Sequence, residues 1–156
     1  MRDYNTRLAS AQAFTSSGAV STSSLALEVT GRDVAAVEPL AFVFTVTTAA
    51  LVAASETYLF RVQSATNADG TTGGVILVST GTYTVSGGTT PVGTFAAGTQ
   101  IVLVVPVELI PATATHLAGY VVLGASGGIS CTIDVVPLSE VQRGKKKYAD
   151  AVSYAD

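Results

Sequence analysis

The chain has 156 residues and a formal net charge of -3, with 48% hydrophobic and only 12% charged residues, against ~25% charged in an average soluble domain. One His, one Cys and no Trp exclude an internal disulfide, a Cys-based zinc site and any metal site that needs two histidines. The acidic balance, with a pI near 5.0, disfavours a generally cationic nucleic-acid binder.

Residues 1–23 are polar, with small residues and no strong alternation, and are read as an N-terminal arm. The opening MRDYNTRLAS carries charges but no apolar stretch of the secretory kind, and a cytoplasmic origin with a free thiol is expected. The stretch from 24 to 137 is written in β. Leu25, Leu27 and Val29 alternate with Ala26 and Glu28. Leu40, Phe42, Phe44 and Val46 alternate with Ala41, Val43, Thr45 and Thr47, and Tyr58, Phe60 and Val62 with Leu59, Arg61 and Gln63. Val75–Val78 is a short apolar run, and Tyr83 and Val85 alternate with Thr82 and Thr84. Ile101–Val107 is apolar on both faces, Leu117–Leu123 follows, and Ile129, Cys131, Ile133 and Val135 alternate with Ser130, Thr132 and Asp134.

Turn-forming sets separate these segments, among them Asn67-Ala68-Asp69-Gly70, Gly73-Gly74, Ser86-Gly87-Gly88 and Ser126-Gly127-Gly128. The reading is therefore all-β: an antiparallel eight-stranded β-sandwich or jelly roll over 24–137, with extended N- and C-terminal arms. The C-terminal tail, 138–156, holds a Lys triplet and a doubled Tyr-Ala-Asp. The strongest apolar run, Ile101 to Val105, stops at Pro106, far short of the ~20 residues of a membrane-spanning helix, and no membrane partner is expected.

Charge is concentrated at the ends. Residues 1–39 hold seven charges and 138–156 another seven, whereas the 98 residues between hold five: Glu56, Arg61, Asp69, Glu108 and Asp134. Gly70 to Val107 has none. Either the Ser and Thr residues, 35 in all, solvate this body, or another protein covers part of it. The ends read either as disordered termini or as arms that order on a neighbouring subunit.

Reactive groups lack company. His116 follows Thr113-Ala114-Thr115 with no nucleophile motif around it and reads as a surface or strand-end histidine. Cys131 shares the apolar phase of its strand with Ile129 and Ile133 and reads as a core thiol. Asn67-Ala68-Asp69-Gly70 lacks the bidentate Glu of a calcium loop and reads as a turn. No catalytic set, metal or cofactor is expected, and the protein is read as a non-enzyme. Lys145-Lys146-Lys147 reads as a solvated flank or as a salt-bridging patch for a partner; nucleic acid is the weaker choice without stacking aromatics.

One stretch resembles a known family. Ser10-Ala11-Gln12-Ala13, then Val20-Ser21-Thr22, Gly31-Arg32-Asp33-Val34 and Glu38-Pro39-Leu40, follow the order found near the N-terminus of jelly-roll capsid cement, or decoration, proteins of tailed bacteriophages. The sequence departs from that pattern at Ala35-Ala36-Val37, where the family often has glycines. The resemblance implies a structural protein of the virion, made in the host cytoplasm. It would dock on the outer capsid surface and bridge neighbouring major capsid protein subunits as a homodimer or homotrimer. Contacts to capsid or subunit are expected from Arg2, Tyr4, Arg7, Gln12, Arg32, Asp33, Glu38, Arg143, Lys145, Lys146, Lys147, Tyr148 and Tyr154. The alternative is a phage fibre or baseplate β-sandwich module for receptor or sugar binding.

Overall fold

The computed structural model describes residues 6–15, 19–21, 23–27, 39–50, 56–85, 96–124 and 128–143. Ten strands run through them: β1 (Thr6–Phe14), β2 (Ala19–Val20), β3 (Leu25–Ala26), β4 (Leu40–Ala50), β5 (Glu56–Ala65), β6 (Val75–Ser79), β7 (Tyr83–Val85), β8 (Gln100–Val105), β9 (His116–Gly124) and β10 (Gly128–Pro137). A 3-10 turn, Val107–Leu109, and one short helix, α1 (Leu138–Arg143), complete the elements. The protein is nearly all β, in two antiparallel sheets. Sheet A has the order β1-β10-β4-β8. In sheet B, β9 and β5 form the centre, β2 and β3 both pair the free side of β9, and β6 and β7 both pair β5.

The core lies between the sheets. The period-2 alternation of β10 places Ile129, Cys131, Ile133 and Val135 on the buried side, and the opposing β9 supplies Leu117, Val121 and Leu123. Phe42 and Phe44 from sheet A meet Tyr58 and Phe60 from sheet B in this layer, all at most 1% exposed. Gly119 stands where β9 passes β10: a Cβ there would lie 3.0 Å from Ile133 Cδ1 and 3.2 Å from Phe44 Cζ.

β4 is buried on both faces over Leu40 to Phe44. Its outward residues Ala41 and Val43 join Val102 and Val136 in a second apolar cluster, against which Leu138 and Val141 of α1 pack. The i,i+3 spacing of these two residues gives the helix one apolar face, and Leu138 N–H donates to Pro39 O at 3.0 Å. The expected strand at Ile101–Val107 ends two residues earlier, because Pro106 cannot donate to a ladder and the chain turns into the 3-10 segment.

The N-terminal expectation needs correction. Thr6–Phe14 is not an arm but the edge strand of sheet A, with Leu8 1% and Phe14 0% exposed. Ala19–Val20 pairs with β9. The pairing of β1 with β10 is irregular between Arg7 and Ala9 and again between Ala9 and Gln12, and Ala11 has φ 47. Such bulges shift the phase of side chains along a strand, which erases the alternation a regular strand would show. The tail expected from 138 likewise begins as a helix packed on sheet A.

Most edges are unsuited to continuing a sheet. β1 is doubly irregular, β2 and β3 are two residues each, and β6 has a register shift beside Leu77. Broken or short edges of this kind prevent indiscriminate strand addition.

Candidate interaction surfaces

The reactive side chains are occupied or enclosed. Burial pushes the Cys131 thiol up to about 12, so it stays a neutral packing group at ordinary pH. His116 is the first residue of β9, with its Nδ1 2.8 Å from Thr115 Oγ1. The Asp69 carboxylate accepts from Thr71 N–H at 2.7 Å, Thr72 N–H at 3.1 Å, Thr72 Oγ1 at 3.1 Å and Asn67 Nδ2 at 2.9 Å. These donors hold it well below the usual carboxylate range. Its oxygens close the 67–72 turn, where Gly70 takes φ 72. Among the described residues no group of three or more His, Cys, Asp or Glu could hold a metal ion.

The side chains that can meet a partner lie on the edges and outer faces. Arg7 on β1 stands directly opposite Asp134 on β10 and binds it side-on, Nε to Oδ1 at 2.8 Å and Nη2 to Oδ2 at 3.4 Å. The Arg7 side chain is 60% exposed, so this pair is a surface feature. Gln12 lies half-buried on the same strand, beyond the Ala11 bulge. Ala11 N–H donates to Thr132 Oγ1 at 3.1 Å, which pins the bulge to β10. Arg143 is the last residue of α1. The structure thus places Arg7 and Gln12 on one edge and Arg143 at the end of the helix that follows β10. Arg2, Tyr4, Arg32, Asp33, Glu38, Lys145, Lys146, Lys147, Tyr148 and Tyr154 lie outside the described residues.

Two further surfaces were not singled out from sequence. At the start of β6, Val75 and Ile76 are 50% and 53% exposed. On the outer face of sheet B, Arg61 and Tyr120 are direct cross-strand neighbours, and the guanidinium carbon sits 4.1 Å from the ring centroid. Leu59 opposite Val122 and Gln63 opposite Ala118 flank them. Gln63 is itself buried, because its Nε2 donates to Gly70 O at 2.6 Å and the 67–72 turn folds over it. Tyr58 and Tyr83 face inward, Tyr83 packing edge-on against Phe60 at 6.2 Å. Tyr120, by contrast, faces outward. The available signal was Arg61, the only charge between Glu56 and Asp69.

The arrangement offers packing surface and one stacked cation, and no assembled nucleophile, base or metal ligand set among the described residues. No family model matches the chain, and no curated protein and no solved structure matches it.

Proposed function

We propose that the protein is a non-catalytic capsid cement, or decoration, protein of a tailed bacteriophage. In this reading it binds the outside of the icosahedral head as a homo-oligomer and bridges neighbouring major capsid protein subunits. The observation that carries the reading is the strand order. Taking β2 with β3 as one interrupted strand and β6 with β7 as another reduces ten strands to eight. Sheet A then runs 1-8-3-6 and sheet B 2-7-4-5, the order of two Greek keys wound into a jelly roll. The proposed fold is accordingly an eight-stranded jelly roll.

Two features of the chain agree with this reading. The motif order of residues 10–40 resembles that of the cement family, with Gln12 on the bulged edge. The body from Gly70 to Val107 has no charge, as a surface covered by another protein allows. A cement protein stabilises a shell by mass action, binding the assembled lattice in preference to free subunits, and linked copies add avidity over repeated sites. The sugar-binding alternative has less support. Tyr58 and Tyr83 point into the core, and Tyr120 carries the Arg61 guanidinium on its ring.

The test is co-sedimentation of the purified protein with empty, expanded heads of the phage that encodes it, together with heat or urea disruption of those heads. The protein is expected to pellet with heads at a fixed ratio per capsid subunit and to raise their disruption temperature. Failure to pellet would overturn the reading.

A further inference from the structure

Among the described residues Arg61 is a cation without a counter-charge. Its guanidinium lies over Tyr120 at 4.1 Å, yet its Nε is shielded from water and has no hydrogen-bond partner. The only ion pair among the described residues is Arg7 with Asp134, and the contrast is informative. Arg7 holds a carboxylate side-on through two nitrogens, while the described neighbours around Arg61, namely Ser79 on β6, Leu59 and Gln63 on β5, and Ala118 and Val122 on β9, bring no carboxylate to it.

A long, charged side chain is an expensive way to cover a tyrosine ring, since ordering it costs rotamer freedom that an aliphatic residue would lose less of. What arginine adds is a planar fork of donors, fixed in direction by the ring and matched to a carboxylate. Arg and Tyr are also among the residue types that dominate binding energy at protein interfaces.

We infer that the Arg61–Tyr120 pair is the centre of the docking surface on sheet B, where Arg61 receives an Asp or Glu side chain of the partner protein. This rests on the cement reading, in which the partner is the major capsid protein, and it names the face and the chemistry of the contact. The Tyr120 ring pre-orders the guanidinium, so docking gains a charge-assisted hydrogen bond with little further ordering. Leu59 and Val122 exclude water around it once the partner is seated.

The experiment uses the full-length protein and empty expanded heads, with binding read by sedimentation at two salt concentrations. The variants are Arg61→Met and Arg61→Glu, with Glu108→Gln as a charge control and thermal melting as the check on folding. Arg61→Met is expected to weaken binding about tenfold or more and to reduce its salt dependence, as loss of a charge-assisted contact requires. Arg61→Glu is expected to weaken it further. Glu108→Gln is expected to bind like the unaltered protein. Arg61→Met keeps the side-chain stem on the ring and remains the decisive variant should Arg61→Glu not fold.

Unaltered protein that does not pellet with heads overturns the cement reading and this inference with it. Unaltered protein that pellets, with Arg61→Met pelleting equally well, overturns the inference alone. A shift of duplex DNA that Arg61→Met abolishes would put phosphate rather than carboxylate on Arg61 and would also overturn it.

Discussion

Phe44 of β4 and Phe60 of β5 meet edge-to-face across the two sheets, their ring centroids 5.5 Å apart and their planes at 66°. Each is fully buried, so each is a point at which one sheet grips the other. Truncating either to Ala is expected to cost ~3–5 kcal/mol of stability. The double variant is expected to cost less than the sum by ~0.5–1.5 kcal/mol, the part that belongs to the ring pair itself. Urea unfolding of the four proteins measures both quantities, and additive losses would remove any special role for the ring geometry.

Gly119 lies beside this pair on β9. Gly119→Ala would put a methyl 3.0 Å from Ile133 Cδ1, 3.2 Å from Ile133 Cγ2 and 3.2 Å from Phe44 Cζ. Overpacking of this kind is expected to cost ~1–3 kcal/mol. Ile133→Val removes the nearest of those atoms, so the Gly119→Ala, Ile133→Val double variant is expected to lose less than the two single changes together. Equal or greater loss would mean that backbone shifts, not the Ile133 methyl, set the penalty.

Because β1 is part of sheet A, deleting residues 1–9 removes Leu8 and Ala9, which are 1% and 2% exposed. That deletion is expected to lower the melting temperature strongly or abolish folding. Leu8→Ala alone is expected to cost ~2–5 kcal/mol. Unchanged melting of the truncated protein would show that β1 contributes little to the core it closes.

The Cys131 thiol gives a pH-dependent signature. Its folded value of about 12 lies above the ordinary thiol value of 9.0. The unfolded chain therefore releases the proton first as pH rises, and stability from this group falls between those two values. Cys131→Ala is expected to cost ~1–2 kcal/mol at neutral pH and to show a shallower alkaline decline than the unaltered protein. Iodoacetamide at pH 8 is expected to label Cys131 only on unfolding; rapid labelling of the native protein would contradict its burial.

Asp69 works in the opposite direction. Its donors from Thr71, Thr72 and Asn67 depress its folded pKa. Its contribution is therefore complete above the unfolded carboxylate value, near 4, and fades as pH falls from there toward the folded value. Asp69→Ala is expected to lower stability at pH 7 and to reduce the slope of stability against pH below 4. Parallel curves for the two proteins would mean that the turn is held by its backbone alone.

Much of the fold was legible because half-buried strands leave a period of two. Tyr58, Phe60 and Val62, or Ile129, Cys131 and Ile133, mark their inward faces directly. β1 was not legible, since its irregular pairing puts adjacent Leu8 and Ala9 both in the core. α1 was too short to declare a helical period, and Leu138 and Val141 acquire meaning only beside Val43 and Val136. The Arg61–Tyr120 contact was hidden for another reason. A lone charge in a strand reads as a solvated residue until pairing register sets an aromatic ring directly across from it.

The placement of β10 has a consequence for how the chain reaches this state. β10 lies between β1 and β4, although the ribosome makes it after every other described strand. Until Gly128–Pro137 has emerged, β1 has no neighbour in sheet A and β4 has β8 alone. The nucleus that closes sheet A must therefore join residues more than a hundred positions apart, as in the Thr6↔Val135 pairing. Such long-range closure places the protein among slow folders, on the order of milliseconds to seconds. During that interval β1 and the open edge of β4 are the surfaces a chaperone would have to shield.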